Sequence, residues 1–266
     1  MSAASALVDV LGEYVAPRGT SVTHVALTRA LGVLGHSPAA VRQAISRSAR
    51  EGALTSTRRG GGSVVTLHDP ARAMLLRGAA TLDTAVTDTL IEWDGTWVVF
   101  IVRTRGQDQR SRYRLRTSML LDGLGYLGNG VWVSPRRQFQ GEILAALSAE
   151  PDVEVTVLTS RVDHPDVRAV VERAWDLDAI SRRYDRLLSG FGTRRADTDE
   201  QRFTAWTELL HAWRDCVLTE PGLPDEVLRP GWPREDARAL MATRMGVWRP
   251  AAHAYFEALL SAAPTL

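Results

Sequence analysis

The sequence predicts an α+β protein with an N-terminal winged helix-turn-helix, a central ferredoxin-like β-α-β-β-α-β unit and a C-terminal helical domain. Three observations carry this prediction: helical segments that end in a glycine-tipped hairpin, strand-like runs that alternate with two helices in the middle of the chain, and a largely helical pattern after Pro165. The expected domains are residues 1–69, a linker helix over 70–92, residues 93–162 and residues 163–266.

The composition is that of a globular protein without a secretion signal. The 266 residues are 45% apolar, which allows two or three domains with real cores. No stretch reaches the roughly 18 apolar residues of a membrane span, and the single cysteine, Cys216, makes no intrachain disulfide. We therefore expect a cytoplasmic protein that does not enter a membrane.

Positive charge lies towards the N-terminus. All 32 basic residues counted as Lys and Arg are arginine, a bias that we attribute mainly to the source genome. Residues 1–70 hold 7 Arg against 4 acidic residues, a net charge of +3, whereas residues 151–266 hold 15 against 19, a net charge of −4. A DNA-binding head on a neutral or acidic body shows such an asymmetry.

The first two helices are predicted from apolar spacing. Residues 4–15 repeat apolar positions at the helical period until Pro17-Arg18-Gly19 stops them. A second helix is expected from Val22 to Leu34. Gly35 is its expected C-cap, because glycine adopts a left-handed backbone there without strain.

A third helix carries the candidate DNA-reading surface. Ser37 is the predicted N-cap and Pro38 the first helical residue, where no hydrogen-bond donor is needed. The helical period turns four apolar positions inwards, namely Val41, Ala44, Ile45 and Ala49. It leaves a polar face outside, formed by Arg42, Gln43, Ser46, Arg47 and Arg50.

The wing is predicted from two strand-like segments around a run of glycines. Leu54 to Arg58 and Ser63 to Leu67 have β-type sequences, and three glycines between them permit the positive φ of a tight turn. Small residues let such a tip approach a groove. We expect Arg58 and Arg59 to lie against phosphate.

This combination favours double-stranded DNA as the partner. Arginine can donate two hydrogen bonds to guanine, and glutamine can pair with adenine, in the major groove. We assign Arg42, Gln43 and Arg47 to bases, and Ser46 and Arg50 to backbone oxygens. A solvated helix face is the alternative for any single arginine.

The middle of the chain predicts a split β-α-β-β-α-β unit after a long helix that is able to pack against a second copy. The apolar run at Val98–Val102 is typical of a strand buried on both faces. The other elements are expected at 107–121 (helix), 126–127 (strand), 131–134 (strand), 138–149 (helix) and 153–158 (strand).

The C-terminal third is predicted to form helices that are separated by proline and glycine residues. They are expected near residues 165–174, 177–190, 198–218, 234–245 and 249–262. The proline-rich stretch EPGLPDEVLRPGWP is predicted to lie across the surface of that bundle.

Several segments in order resemble the phenylacetic acid degradation repressor family, PaaX. They are YVAPRG, AVRQAISRSAREG, WDGTWVVFIV, RYRLRTSMLLDGLGYLGNGVWVSPR, WDLDAISRRYDRLLSGF and LTEPGLPDEVLRPGWPREDARAL. The resemblance spans almost the whole chain. It implies a cytoplasmic, dimeric transcriptional repressor that leaves its operator when an aryl-CoA thioester, typically phenylacetyl-CoA, binds.

The resemblance also raises a nuclease alternative, because the middle unit of such proteins is similar in fold to a small CRISPR-associated endoribonuclease. That fold places a metal-binding aspartate near the end of its first strand. Here Arg103 follows the predicted strand, and Asp94 precedes it. We therefore expect a dimerisation or ligand-binding module.

A CoA effector needs positive charge for its phosphates and an apolar slot for its ring. Candidate effector residues are Arg110, Arg112, Arg114, Arg116, Trp175 and Tyr184. A solvated helix face or a second DNA contact is the alternative for the arginines, and core packing is the alternative for the aromatic residues.

The sequence offers no candidate catalytic residues, metal site or cofactor motif. Its six histidines lack the i, i+4 spacing of a helical zinc site, and no phosphate loop or dinucleotide fingerprint is found. We predict a homodimeric repressor that docks two heads on a pseudo-palindromic operator. A metal-dependent nuclease, or a regulator that senses an unrelated metabolite, is the alternative.

Overall fold

The computed structural model describes residues 1–59, 62–87, 93–105, 109–137, 140–150, 152–162 and 166–262. Within these ranges the chain is an α+β protein with two antiparallel sheets. It divides into two compact units. The first contains Met1–Asp88, Arg186–Arg214 and Glu235–Leu266, and the second contains Thr89–Asp185 and Asp215–Arg234. The boundaries of the four expected domains stay a prediction.

The N-terminal part of the first unit is a helical cluster with a small sheet. Its elements are α1 (Ala3–Val10), a π-helical segment (Leu11–Val15), β1 (Ser21–Thr23), α2 (His24–Val33), α3 (Pro38–Arg50), β2 (Leu54–Arg59), β3 (Gly62–Leu67) and α4 (Asp69–Thr87). Helix α1 packs against both α2 and α3. Leu7, Leu27 and Leu31 are fully buried between these helices, so their apolar faces form one core.

The second helix begins later than predicted. Val22 lies in β1, where it pairs with Val65 of β3, and its assignment to the helix was wrong. The β-branched side chain suits a sheet position. The Thr23 side chain then accepts a hydrogen bond from Ala26 N (3.2 Å) and caps α2. Gly35, with φ 87°, closes α2 as predicted.

The predicted start of the third helix is confirmed. The Ser37 hydroxyl accepts a hydrogen bond from Ala40 N at 3.3 Å, and Pro38 is the first residue of α3. Val41, Ala44 and Ile45 are buried, as the helical period requires.

The predicted hairpin is present as β2 and β3. The two strands pair from Leu54 with Leu67 to Arg59 with Gly62, and the sheet order is β1-β3-β2. The prediction for the hairpin tip stays untested, because Gly60, Gly61 and the side chain of Arg59 lie outside the described residues. Helix α4 ends at Thr87, and the remainder of the predicted linker helix, 88–92, also lies outside them.

Two acidic residues of the first helical segment are almost wholly buried. The side chains of Asp9 and Glu13 are each 2% exposed. Asp9 is ion-paired with Arg214 and lies 2.9 Å from His211 Nδ1. Because a buried carboxylate is costly without partners, these contacts hold α1 against the segment that contains His211 and Arg214.

Glu13 is the centre of a second cluster. Its carboxylate accepts hydrogen bonds from Arg249 (2.7 and 3.2 Å) and from Trp206 Nε1 (3.0 Å), and its Oε1 lies 2.7 Å from His253 Nε2. Arg249 also contacts Asp83 of α4. Burial opposes ionisation of Glu13, but the hydrogen bond with His253 and the charge of Arg249 outweigh it and lower the pKa of Glu13.

The C-terminal part of the chain is helical, as predicted, with α7 (Val167–Ala174), α8 (Leu177–Phe191), α9 (Asp199–Thr219) and α10 (Arg234–Ser261). The prediction of separate helices over 234–245 and 249–262 was wrong, because α10 is continuous and has Pro250 inside it. Proline removes one backbone hydrogen bond, to the carbonyl four residues earlier, and the contacts of neighbouring Arg249 with Glu13 and Asp83 hold the helix at this point.

The second unit contains a four-stranded antiparallel sheet with the order β5-β6-β4-β7. Its elements are β4 (Trp97–Thr104), α5 (Gln109–Leu121), β5 (Gly125–Gly128), β6 (Val131–Ser134), α6 (Gln140–Ser148) and β7 (Val153–Ser160). One face of the sheet forms the core, where Val98, Phe100 and Trp132 pack with Met119 and Leu147.

One expectation for this unit was wrong. The strand β4 is not buried on both faces: Val98 and Phe100 are buried, whereas Val99 and Ile101 are half-buried, as is usual in antiparallel sheets.

The prediction that the stretch 220–233 lies at a surface holds in part. The stretch belongs to the second unit and has a short 3-10 turn at Asp225–Val227. Asp225 and Arg229 are exposed, whereas Leu223 and Leu228 are buried.

We predict that Gly130→Ala destabilises the protein, because a Cβ there would lie 2.3 Å from Val102 O at a φ of 77°. Such strain costs roughly 1–3 kcal/mol. Gly78→Ala in α4 is the control, since nothing lies within 4 Å of its Cβ position, and it is expected to be stabilising by about 0.5–1 kcal/mol. Urea unfolding measures both, and equal stability of the two variants would contradict the prediction.

We predict that Glu13→Gln costs about 2 kcal/mol of unfolding free energy at neutral pH, because the hydrogen bonds from Arg249 lose their charged acceptor while Arg249 keeps Asp83. The pKa of Glu13 is lowered in the folded state from 4.5. Its stabilisation is therefore present above that value and is lost as the pH falls through the folded-state pKa.

Urea titrations at neutral and acidic pH test this. The difference in unfolding free energy between wild type and Glu13→Gln should become smaller on acidification. Glu257→Gln is the control, because Glu257 forms an exposed ion pair with Arg18; it should change stability little at either pH. A difference in unfolding free energy that does not change with pH would show that ionised Glu13 does not stabilise the folded state.

Candidate functional site

The outer face of α3 is exposed and does not belong to the protein core. All five residues predicted to read DNA are exposed on it, namely Arg42, Gln43, Ser46, Arg47 and Arg50. The opposite face is buried and packs towards α1. The face is therefore polar, mainly cationic and presented on a rigid helix.

Arg47 differs from its neighbours in having an acidic partner. Its Nε donates to Glu51 Oε1 at 2.8 Å, and both side chains are more than half exposed. The hydrogen bond to Glu51 and the charge of that residue raise the pKa of Arg47. Because water screens such a pair, Arg47 can exchange Glu51 for another anion at small cost.

The hairpin lies beside this helix, since α3 packs against β2. Thr55, Ser56, Thr57 and Arg58 of β2 are exposed. The structure thus brings Arg58 into the same unit as the polar face of α3. The side chain of Arg59 lies outside the described residues.

The second unit contains an open cavity at its surface, with a volume of about 460 Å³. Helix α5 contributes Arg116 and Leu120, and β5 contributes Tyr126. The turn after α7 contributes Trp175, and the first residue of α8 is Leu177. Two of the predicted effector residues, Arg116 and Trp175, are therefore brought together. A cavity of this size accommodates a small organic ligand or part of a larger one.

The cavity wall is built by a close contact between Trp175 and strand β5. A Cβ on Gly125 would lie 2.6 Å from the indole ring of Trp175, so only glycine fits there. Trp175 Nε1 donates to Gly123 O at 3.2 Å. The Arg116 guanidinium lies 4.4 Å from the centre of the Tyr126 ring, in a cation–π contact.

The other predicted effector residues are placed differently. Tyr184 is buried, and its hydroxyl donates to Glu220 Oε2 at 3.1 Å. Burial raises the pKa of Tyr184, which fits a structural role. Arg112 is exposed on α5, and the side chains of Arg110 and Arg114 lie outside the described residues.

Sequence reasoning missed the remaining charged residues of the cavity, Arg173 and Arg229 among them. Arg229 lies in the block LTEPGLPDEVLRPGWPREDARAL, which carries part of the family resemblance. That block was the only sequence signal that could have pointed to Arg229. Its proximity to α5 and β5 depends on tertiary structure, which no local pattern reveals.

Asp94, the aspartate considered in the nuclease alternative, forms hydrogen bonds within a turn. It accepts hydrogen bonds from Thr96 N (2.9 Å) and from the Thr96 hydroxyl, and it is ion-paired with Arg137 at 3.2 Å. The hydrogen bonds from Thr96 lower the pKa of Asp94. Within the described ranges, no group of three His, Cys, Asp or Glu side chains is placed to hold a metal ion.

Among the helices in the described part of the chain, none combines the length and the apolar character needed to cross a bilayer.

Three family profiles match consecutive parts of the chain. They are the PaaX-like protein profile over residues 2–71, the PaaX protein central Cas2-like domain over 91–171 and the PaaX-like protein C-terminal domain over 175–258. The Cas2-like match agrees with what the family resemblance implies for the middle of the chain.

Similar proteins cover nearly the full chain. The transcriptional repressor PaaX of Escherichia coli (strain K12) is 26% identical over 269 residues, which span 96% of this chain and 83% of that protein. The structure of an uncharacterized protein from Mycobacterium tuberculosis is 25% identical, with a TM-score of 0.60, and the match covers 94% of this chain and 96% of that one. The chain belongs to the PaaX-like family of transcriptional repressors, and this homology makes it a regulator rather than an enzyme.

Proposed function

We propose that this chain is a homodimeric repressor that binds a double-stranded DNA operator through α3 and is released by an aryl-CoA such as phenylacetyl-CoA. One observation carries the DNA-binding part: five polar residues, three of them arginine, are exposed along one face of α3 while its other face is buried. Placed in a major groove, such a face meets base edges and phosphates together.

In this proposal, α2, α3 and the β2–β3 hairpin act as a winged helix-turn-helix. Arg42, Gln43 and Arg47 contact bases, and Ser46 and Arg50 contact backbone oxygens. Arg58 and Arg59 of the hairpin contact phosphate, independently of sequence. Arg47 leaves Glu51 for the DNA, an exchange between two anionic partners.

We further propose that the second unit adopts a ferredoxin-like fold. Its element order β-α-β-β-α-β and its sheet order β5-β6-β4-β7 support this. In the proposal this unit serves dimerisation and ligand binding. Two heads in one dimer would engage half-sites about 34 Å apart or a multiple of that distance, and we place this binding in the cytoplasm.

The proposed effector site is the cavity that holds Arg116 and Trp175. An effector can release DNA only if it binds more tightly to an arrangement of the dimer that fits the operator poorly. Arginine offers planar, paired donors for carboxylate or phosphate groups, and Trp175 offers an apolar surface for a ring. A second candidate effector is an unrelated anionic metabolite at the same cavity.

We predict that Arg42→Ala and Arg47→Ala each weaken operator binding by roughly 5- to 100-fold, because a bidentate base contact is lost. Arg58→Ala is expected to weaken binding to operator and random duplex alike and to reduce the salt dependence by about one phosphate contact. Gel-shift titrations with the protein's own promoter region and with a scrambled duplex measure both.

Arg182→Ala is the control for the loss of one exposed arginine, since Arg182 lies on α8. It should leave both affinities unchanged. Wild-type affinity in Arg42→Ala and Arg47→Ala would remove α3 as the reading helix.

We predict that phenylacetyl-CoA releases the protein from its promoter region, whereas CoA alone does not. Titration of the acyl-CoA into a preformed complex, followed by fluorescence anisotropy, measures the release. Failure of phenylacetyl-CoA, together with release by another anionic metabolite, would support the second candidate effector.

A further inference from the structure

The cavity of the second unit is lined by apolar residues and by six charged residues. The charged residues are Arg116, Arg173, Arg229, Glu172, Asp176 and Asp178. Three cations and three anions make the lining neutral as a whole. Which charge a ligand meets therefore depends on which of these groups are already paired with one another.

Two of the three carboxylates are paired by one arginine. Arg229 Nη1 lies 2.6 Å from Asp178 Oδ1, and Arg229 Nε lies 3.3 Å from Glu172 Oε1. These hydrogen bonds raise the pKa of Arg229. Arg229 thus bridges the last turn of α7 and the first turn of α8 at the open edge of the cavity, where all three side chains are more than half exposed.

The third carboxylate is used by the backbone. Asp176 precedes α8, and its Oδ1 accepts a hydrogen bond from Ala179 N at 2.8 Å. An anionic side chain at this position also interacts favourably with the positive end of the helix dipole. Asp176 is therefore a helix cap rather than a free acceptor for a ligand.

The other two arginines have no acidic partner in the described part of the chain: neither Arg116 nor Arg173 lies within ion-pair distance of a carboxylate there. Arg116 is stacked over Tyr126. A guanidinium stacked on a ring keeps the N–H donors at its edge available to an anion.

The apolar part of the cavity lies beside these arginines. Trp175 as a residue is 8% exposed, Leu177 is buried, and Leu120 keeps 48% of its surface exposed. An apolar ligand body would cover Leu120 and contact the indole ring, while its charged end reaches a guanidinium.

We propose that Arg229 is a positioning residue that sets the charge selectivity of this cavity for a ligand that carries an anionic group and an apolar body; in an aryl-CoA the anionic group is a phosphate, because the aryl carbonyl is an uncharged thioester. By neutralising Glu172 and Asp178, it leaves Arg116 and Arg173 as the groups that meet the ligand. Without Arg229, two carboxylates face the cavity unpaired and repel an anion. The proposal rests on the proposed function, because it takes this cavity as the effector site.

The test compares an anionic and a neutral probe of nearly equal shape, phenylacetate and phenylacetamide, by calorimetry on the full-length protein at low salt. Wild type should prefer phenylacetate by about tenfold, the effect of a well-placed charge pair in a partly exposed site. Arg229→Gln should abolish most of that preference and leave phenylacetamide binding unchanged.

A rescue variant separates the loss of charge neutralisation from the loss of the structural bridge. Adding Glu172→Gln and Asp178→Asn to Arg229→Gln should restore phenylacetate affinity, although the bridge between the helices stays broken. Arg182→Gln is the matched control and should behave as wild type. Equal loss of both probes in Arg229→Gln, no rescue in the triple variant, or no preference of wild type for phenylacetate would each overturn the proposal.

The experiments can separate a failure of this inference from a failure of the proposed function. Charge-selective binding that depends on Arg229, without DNA release by phenylacetyl-CoA, would leave this inference standing and refute that effector. DNA release by phenylacetyl-CoA with the same midpoint in wild type and Arg229→Gln would refute this inference and leave the effector standing.

Discussion

The buried carboxylates of Asp9 and Glu13 are the constraint on which the first unit depends. Each is 2% exposed and is surrounded by donors from α9 or α10. A buried charge without partners is strongly unfavourable, so α1 and the C-terminal helices pack as one body. Since α3 packs on α1, the position of the candidate DNA-reading helix is tied to residues more than 150 positions later in the chain.

Arginine is the only basic residue type in the chain apart from histidine, and its partners separate structural from functional positions. Arg249 is a structural cation, because Glu13 and Asp83 pair with it. On α3, Arg42 and Arg50 are exposed, and in the cavity Arg116 lies on an aromatic ring. Exposed cations on a rigid element are the groups that can change partners when an anion arrives.

Local sequence patterns predicted the local structure well and the long-range contacts poorly. The cap at Ser37 and the apolar face of α3 follow from spacing alone. The three-residue strand at Val22 is held by Val65, far along the chain, and a short window therefore favours helix. The continuity of α10 through Pro250 and the joining of Arg116, Trp175 and Arg229 in one cavity depend on tertiary packing, which periodicity does not encode.

The proposed function depends on the exposed face of α3 entering the major groove of an operator. Site-specific photo-crosslinking can detect this contact, with a photoreactive amino acid at Gln43 and, as a control, at Arg182. We expect a crosslink from position 43 to operator bases and none from position 182. A crosslink from position 43 to a second protein chain, with DNA still bound, would refute docking of α3 in the groove.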